Sequence, residues 1–124
     1  KLLSATPSPY ARKVRIALAE KQIPFELVTE VPWNQGASAG KFNPLEKIPV
    51  LILDDGSTVY ESRFILEWLE TKYPQPTLFP RDPELLLAAR RLEVLADGVC
   101  DAFVLASFER RRPEANRGPP PAGA

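Results

Sequence analysis

Three short runs of the sequence carry side chains and backbone groups with the types and spacing for chemistry. Ser8-Pro9-Tyr10-Ala11 puts a hydroxyl directly before a proline. That is the pattern of a helix start, with Ser8 as N-cap and Pro9 at the first helical position. A hydroxyl there faces the positive end of the helix dipole, and such a place can hold an anion, a thiolate included. Lys47-Ile48-Pro49-Val50 leads into an apolar strand, where proline is tolerated as a first residue. A cis Ile48-Pro49 bond would leave the N–H and C=O of Ile48 free to pair with an extended peptide. Tyr60-Glu61-Ser62-Arg63 opens another helix. Its first N–H groups and the Ser62 hydroxyl suit a carboxylate. Each run also has a plain structural reading: a cap, a strand start and a second cap.

Composition restricts the chemistry further. The chain has 124 residues, no histidine and a single cysteine, Cys100. Without imidazole there is no Ser-His-Asp or Cys-His pair. One sulfur and no histidine exclude a His/Cys zinc site, so no metal site is expected. A lone cysteine closes no intrachain disulfide and gives no mark of secretion; as a small hydrophobe Cys100 is expected to be buried. Lys plus Arg is 16 and Asp plus Glu is 16, so the net charge is zero. That gives no electrostatic case for nucleic acid or an anionic membrane as partner. No apolar run reaches the ~18 residues of a membrane span, and Lys1–Ser4 is too short for a signal-peptide core. Methionine is absent even at position 1, from which the sequence is expected to lack at least its first residue. The stretch from Gly36 to Phe42 hints at a phosphate loop but fails: the glycine spacing is one short, and Phe42 replaces the required Ser/Thr.

These runs need elements to hold them. Leu2 and Leu3 suit a short strand, followed by a turn from Thr6 to Pro9. Tyr10, Val14, Ala17 and Leu18 recur at helical spacing up to about Lys21, and Ile23-Pro24 ends that helix. Phe25 to Val31 reads as a strand, and Pro32 to Phe42 as a loop with room for a short helix. Val50–Leu53 is a buried strand, Asp54-Asp55-Gly56 a hairpin turn, Thr58–Tyr60 the return strand. A helix is expected from about Ser62 to Tyr73. Pro74, Pro76, Pro80 and Pro83 then mark a stiff linker. Leu85, Ala88, Leu92, Leu95, Val99, Ala102 and Ala106 form the seam of a long amphipathic helix stopped by Pro113. The tail from Arg117 to Ala124 reads as disordered or as an abrupt chain end.

In this order the runs resemble the N-terminal, thioredoxin-like domain of cytosolic-type glutathione S-transferases, of the bacterial kind with serine at the thiol-contacting position. The similarity lies in Ser8–Leu18, in Asn43-Pro44-Leu45-Glu46-Lys47-Ile48-Pro49-Val50-Leu51, in Asp54-Asp55-Gly56 and in Tyr60–Ile65. Ala96-Asp97-Gly98 and Asp101-Ala102 resemble the first helix of that family's second, all-helical domain. The resemblance implies an α/β fold: a βαβ-ββα domain with a mixed four-stranded sheet at 1–75, a proline-rich linker at 76–83, and part of an all-α domain at 84–124. It implies glutathione as co-substrate. Ser8 would contact the sulfur, with Tyr10 beside it in the same motif. Lys47 would reach the glycine end, Ile48 before cis Pro49 would pair with the cysteinyl unit, and Glu61 and Ser62 would take the γ-glutamyl group. Redox relatives carry Cys-Pro-Tyr-Cys where this chain has Ser8-Pro9-Tyr10-Ala11, so disulfide exchange through the motif is not available. The expected activity is transfer of the glutathione thiolate to a small electrophile, in a cytoplasmic, homodimeric detoxification enzyme. Isomerisation, dehalogenation or peroxide reduction on the same domain, and a non-enzymatic scaffold, are the alternatives. The exposed face around Phe64 and Trp68 and the stripe on the last helix fit dimerisation. Most of the helical domain, which supplies the electrophile pocket, is expected to lie outside these residues.

Overall fold

The structure, a computed structural model, describes residues 1–5, 7–29 and 39–119. The chain divides into two compact units, Lys1–Phe79 and Pro80–Ala124. The first contains β1 (Leu2–Ser4), α1 (Pro9–Glu20), β2 (Leu27–Thr29), α2 (Ala39–Phe42), β3 (Val50–Ile52), β4 (Thr58–Tyr60) and α3 (Ser62–Lys72). The second contains α4 (Pro83–Arg111) and a short 3-10 turn, Glu114–Asn116.

The first unit is the expected thioredoxin-like arrangement. Its sheet has the order β2-β1-β3-β4. β1 is parallel to β2 and antiparallel to β3, which is antiparallel to β4. The register explains the core. Leu2 faces Leu51, and Leu51 faces Val59, so these side chains share one side of the sheet. Val14 and Leu18 of α1 and Ile65 and Leu69 of α3 close over that side. Their spacing of four puts each pair on one helical face. Leu3 and Val50 point the other way, with Phe42 of α2 and Ile48 packed against them. Burial of each such leucine contributes roughly 1.5–3 kcal/mol.

β2 begins at Leu27, later than the Phe25–Val31 run suggested. It pairs only as far as the three-residue β1 allows, from Leu2↔Leu27 to Ser4↔Thr29. Positions 30–38 of that strand and the following loop lie outside the described residues, as do Thr6 of the first turn and 120–124 of the tail. α1 ends in a Schellman motif: Gln22 N–H donates to Ala19 O at 3.0 Å and Ile23 N–H to Leu18 O at 3.0 Å. Gln22 stands at the left-handed position with φ 55°. The hairpin turn forms where expected, with Gly56 at φ 86° and Asp55 Oδ1 accepting the Ser57 N–H at 2.9 Å.

The side chain of Lys21, just after α1, is fully buried and its Nζ is shared by three acceptors. They are Tyr73 O at 2.7 Å, Pro76 O at 2.8 Å and Glu70 Oε1 at 2.7 Å. Glu70 also accepts from the Leu78 N–H at 2.9 Å and the Thr77 hydroxyl at 2.8 Å. The segment after α3, in which the Gln75-Pro76 bond is cis, is thereby tied to the end of α1.

In the second unit Pro83, read from sequence as the last linker residue, is already helical. Asp82 caps α4, its Oδ2 accepting the Leu85 N–H at 3.0 Å. The expected seam from Leu85 to Ala106 is exposed throughout, while Leu86, Glu93, Asp97, Cys100 and Val104 are more sheltered. The reason is that apolar residues ring much of the helix, as in Leu85-Leu86-Leu87, so spacing alone selects no single face. Cys100 is half-buried, not the buried position expected of it. The start of the tail folds back on the helix end. Arg117 caps the helix end, donating to Arg110 O at 2.7 Å and Arg112 O at 3.0 Å.

Candidate functional site

Topology brings the three sequence runs to one end of the sheet. Ser8 follows the C-terminal end of β1, and Ile48-Pro49 precedes the N-terminal end of β3. Because β1 and β3 are antiparallel, with Leu3 opposite Val50, those two ends are neighbours. Glu61 follows the C-terminal end of β4, where Tyr60 lies opposite Val50. Three adjacent strands at ~4.8 Å spacing therefore set the three runs along a line of about 10 Å. A tripeptide in extended form has roughly that length, at ~3.3–3.6 Å per residue.

Ser8 is the N-cap of α1, as its sequence predicts, with Pro9 the first helical residue. Its Oγ accepts the Ala11 N–H at 3.1 Å. No other side-chain bond of Ser8 exists among the described residues, so its hydroxyl proton is available to an acceptor. The first turn of α1 has no acidic residue, and the field there favours an anion. Tyr10 is half-buried in that turn.

Lys47 is exposed in the loop between α2 and β3. Ile48 is half-buried and its side chain packs against Leu3 and Val50. The Ile48-Pro49 bond is cis, and Pro49 is buried. Among the described residues the Ile48 backbone makes no hydrogen bond. It presents a donor and an acceptor of the kind that pairs with a strand-like ligand.

Glu61, not Ser62, is the N-cap of α3, and its side chain makes no capping bond. Its backbone is at φ 72°, ψ 124°, a region that a non-glycine residue rarely occupies. A backbone of this kind costs ~1–3 kcal/mol. Ser62 is buried at the first helical position. The first-turn N–H groups of α3, Ser62's among them, have no intrahelical acceptor. Among the described residues no cluster of His, Cys, Asp and Glu suits a metal ion.

Sequence reasoning passed over Asn43. It is 2% exposed, between α2 and the Lys47 loop. Its Oδ1 accepts the Leu45 N–H at 2.9 Å and its Nδ2 donates to Lys47 O at 2.9 Å. The available signal was Asn43-Pro44, which reads as an ordinary turn start.

Comparison with known proteins gives the family. The profile of the glutathione S-transferase N-terminal domain matches residues 7–72. An uncharacterized GST-like protein, YibF of Escherichia coli K12, is 40% identical over 117 residues, covering 94% of this chain and 58% of YibF. A solved glutathione S-transferase of Methylobacterium radiotolerans, in complex with glutathione sulfonate, is 66% identical with a TM-score of 0.91. That match covers 94% of this chain and 55% of the other. A second, from Methylobacillus flagellatus with GSH bound, is 48% identical with a TM-score of 0.85, covering 94% and 58%. The chain thus spans a little over half the length of these relatives. With that family profile lying over residues 7–72, more than half of its length, the chain belongs to the glutathione S-transferase family.

Proposed function

We propose that this chain binds glutathione along the β1–β3–β4 strand ends and lowers the pKa of its thiol for attack on a small electrophile. The observation that carries this reading is that, on neighbouring strand ends, the Ser8 hydroxyl donates no hydrogen bond and the Ile48 backbone makes none among the described residues. The Ile48 N–H and C=O hold the cysteinyl unit, which directs its sulfur toward the start of α1. Lys47 lies on the glycine side, within reach of the terminal carboxylate, and Tyr10 flanks the sulfur. The γ-glutamyl carboxylate meets the first-turn N–H groups of α3 and the Ser62 hydroxyl, with Glu61 taking the amine.

The chemistry asked of the protein is modest. A cysteine thiol has a pKa of ~8.5, and a helix N-terminus lowers it. Ser8 donates its proton into a hydrogen bond with the thiolate, a charge-assisted contact stronger than a neutral one. The thiol proton leaves to solvent. The thiolate then forms a carbon–sulfur bond with the electrophile, and the electrophile's leaving group departs or its double bond takes up the electron pair. Ser8 acts electrostatically and forms no covalent bond. The same reading makes the whole protein a cytoplasmic homodimer, with Phe64, 55% exposed on α3, on the face offered to a partner.

Capture on immobilised glutathione tests the binding. Comparison of wild type with Ser8→Ala in thiol conjugation against pH tests the mechanism. Loss of the hydroxyl should raise the apparent thiol pKa and lower the rate at neutral pH by about 10²-fold, the scale for one preorganised donor. An unchanged rate and an unchanged profile would remove Ser8 from the mechanism.

A further inference from the structure

The Ile48 N–H is useful to a ligand only if it points away from the protein and stays there. It lies in an irregular loop, where no backbone partner among the described residues fixes it. One buried side chain does that work. The Nδ2 of Asn43 donates to Lys47 O at 2.9 Å. That carbonyl belongs to the same peptide unit as the Ile48 N–H. The Lys47–Ile48 peptide is not among the cis bonds, so it is trans and planar. In a planar trans unit the C=O and N–H point in opposite directions. Pulling the carbonyl inward onto Asn43 therefore turns the Ile48 N–H outward.

The rest of the loop supports that arrangement. Asn43 Oδ1 accepts the Leu45 N–H at 2.9 Å, and Asn43 O accepts the Glu46 N–H at 2.9 Å. Both side-chain ends of Asn43 are engaged, and the residue is 2% exposed, so the amide has one orientation open to it. Glu46 passes through the left-handed region at φ 56°, and its side chain lies over Gly40 of α2. A β-carbon at Gly40 would come within 3.2 Å of Glu46 Cγ. The loop is thus folded back on the helix before it, with Asn43 as its inner brace.

We infer that Asn43 is a positioning residue for the glutathione site: its amide fixes the Lys47–Ile48 peptide plane and so aims the Ile48 N–H at the ligand backbone. This rests on the glutathione reading above. It adds a residue that touches no substrate and acts through one that does. It predicts that binding should fall when the amide donor is lost, even where the sheet remains intact.

Two variants of the full chain test it. Asn43→Asp keeps an oxygen for the Leu45 N–H and turns the donor facing Lys47 O into a second acceptor. Asn43→Ser keeps a short acceptor for the two-residue turn and cannot span to Lys47 O. Calorimetry gives the glutathione Kd, thermal melting reports the fold, and ¹H–¹⁵N spectra follow single amides. The expected result is a Kd at least tenfold weaker in a folded variant. The Ile48 amide signal should move or broaden, while those of Leu3 and Val50 stay in place. A folded variant with a Kd within twofold of wild type would overturn the role of Asn43 alone. Unfolding of both variants would assign Asn43 to the fold and overturn the positioning role. Wild type that gives no heat with glutathione would overturn the glutathione reading, and this inference with it.

Discussion

Replacing Lys21 by methionine removes one charge while keeping most of the aliphatic stem. The ammonium is wholly buried, and each of its three protons has an acceptor: Glu70 Oε1, Tyr73 O and Pro76 O, all within 2.8 Å. In Lys21→Met both carbonyls lose this donor, and Glu70 loses its counter-ion. Removing one partner of a buried ion pair costs ~3–5 kcal/mol. Glu70 retains the Leu78 N–H and the Thr77 hydroxyl, and its side chain is 20% exposed, so water reaches part of it. The lower end of the range applies, about 3 kcal/mol. Native domains are stable by only ~5–15 kcal/mol, so this is a large share. It corresponds to a fall in Tm of roughly 12–24 °C at ~4–8 °C per kcal/mol for a domain of this size. At a urea m-value near ~2 kcal/mol/M the midpoint falls by about 1.5 M. Urea unfolding followed by tryptophan fluorescence is a suitable assay, because Trp68 packs on the core and its ring lies 6.2 Å from that of Tyr73. The double variant Lys21→Met/Glu70→Gln should recover part of the loss, since no unpaired carboxylate remains. A loss below ~1 kcal/mol in the single variant, or strict additivity in the double, would refute the hub as a coupled buried pair.

The remaining predictions use the same unit. Burial pushes the Glu70 carboxyl up, but hydrogen bonds from Lys21, Leu78 and Thr77 outweigh it and hold the group below its usual range. A depressed folded value means stability that is complete above the unfolded value of ~4.3 and lost as pH falls through the folded one. Urea midpoints between pH 7 and pH 3 should therefore fall more steeply in wild type than in Glu70→Gln; parallel curves would contradict this. Gln22→Gly places glycine at a left-handed cap position with φ 55° and should raise stability by about 0.5–1 kcal/mol, read as a higher Tm. Glu61→Gly relieves the residue at φ 72°, so Tm should hold or rise while glutathione affinity drops at least tenfold. Equal affinity would show that this strain serves no ligand.

What was legible in the sequence was local. Ser8-Pro9 announces its helix because cap and proline act on the next few N–H groups, and the hairpin declares itself through Asp54-Asp55-Gly56. The first unit's α/β order followed from such signals, and its mixed sheet from matching them to a family. The helix start at Ser62 was legible, but its cap was not, because Glu61 caps from a left-handed backbone that no propensity favours. Lys21 was not legible at all. Between Glu20 and Gln22 it reads as a solvated helix-end cation, and the carbonyls that hold it are 52 and 55 residues away. Asn43 was hidden differently. Its partners are two and four residues away, well within range of a local reading. Yet asparagine before proline is common in turns, and nothing in the letters separates a turn on the surface from one whose amide is sealed inside. Burial makes that difference. The groups proposed to touch the ligand are therefore written in local sequence, while the residue proposed to aim one of them acts through the peptide plane of Lys47–Ile48, which only the folded loop defines.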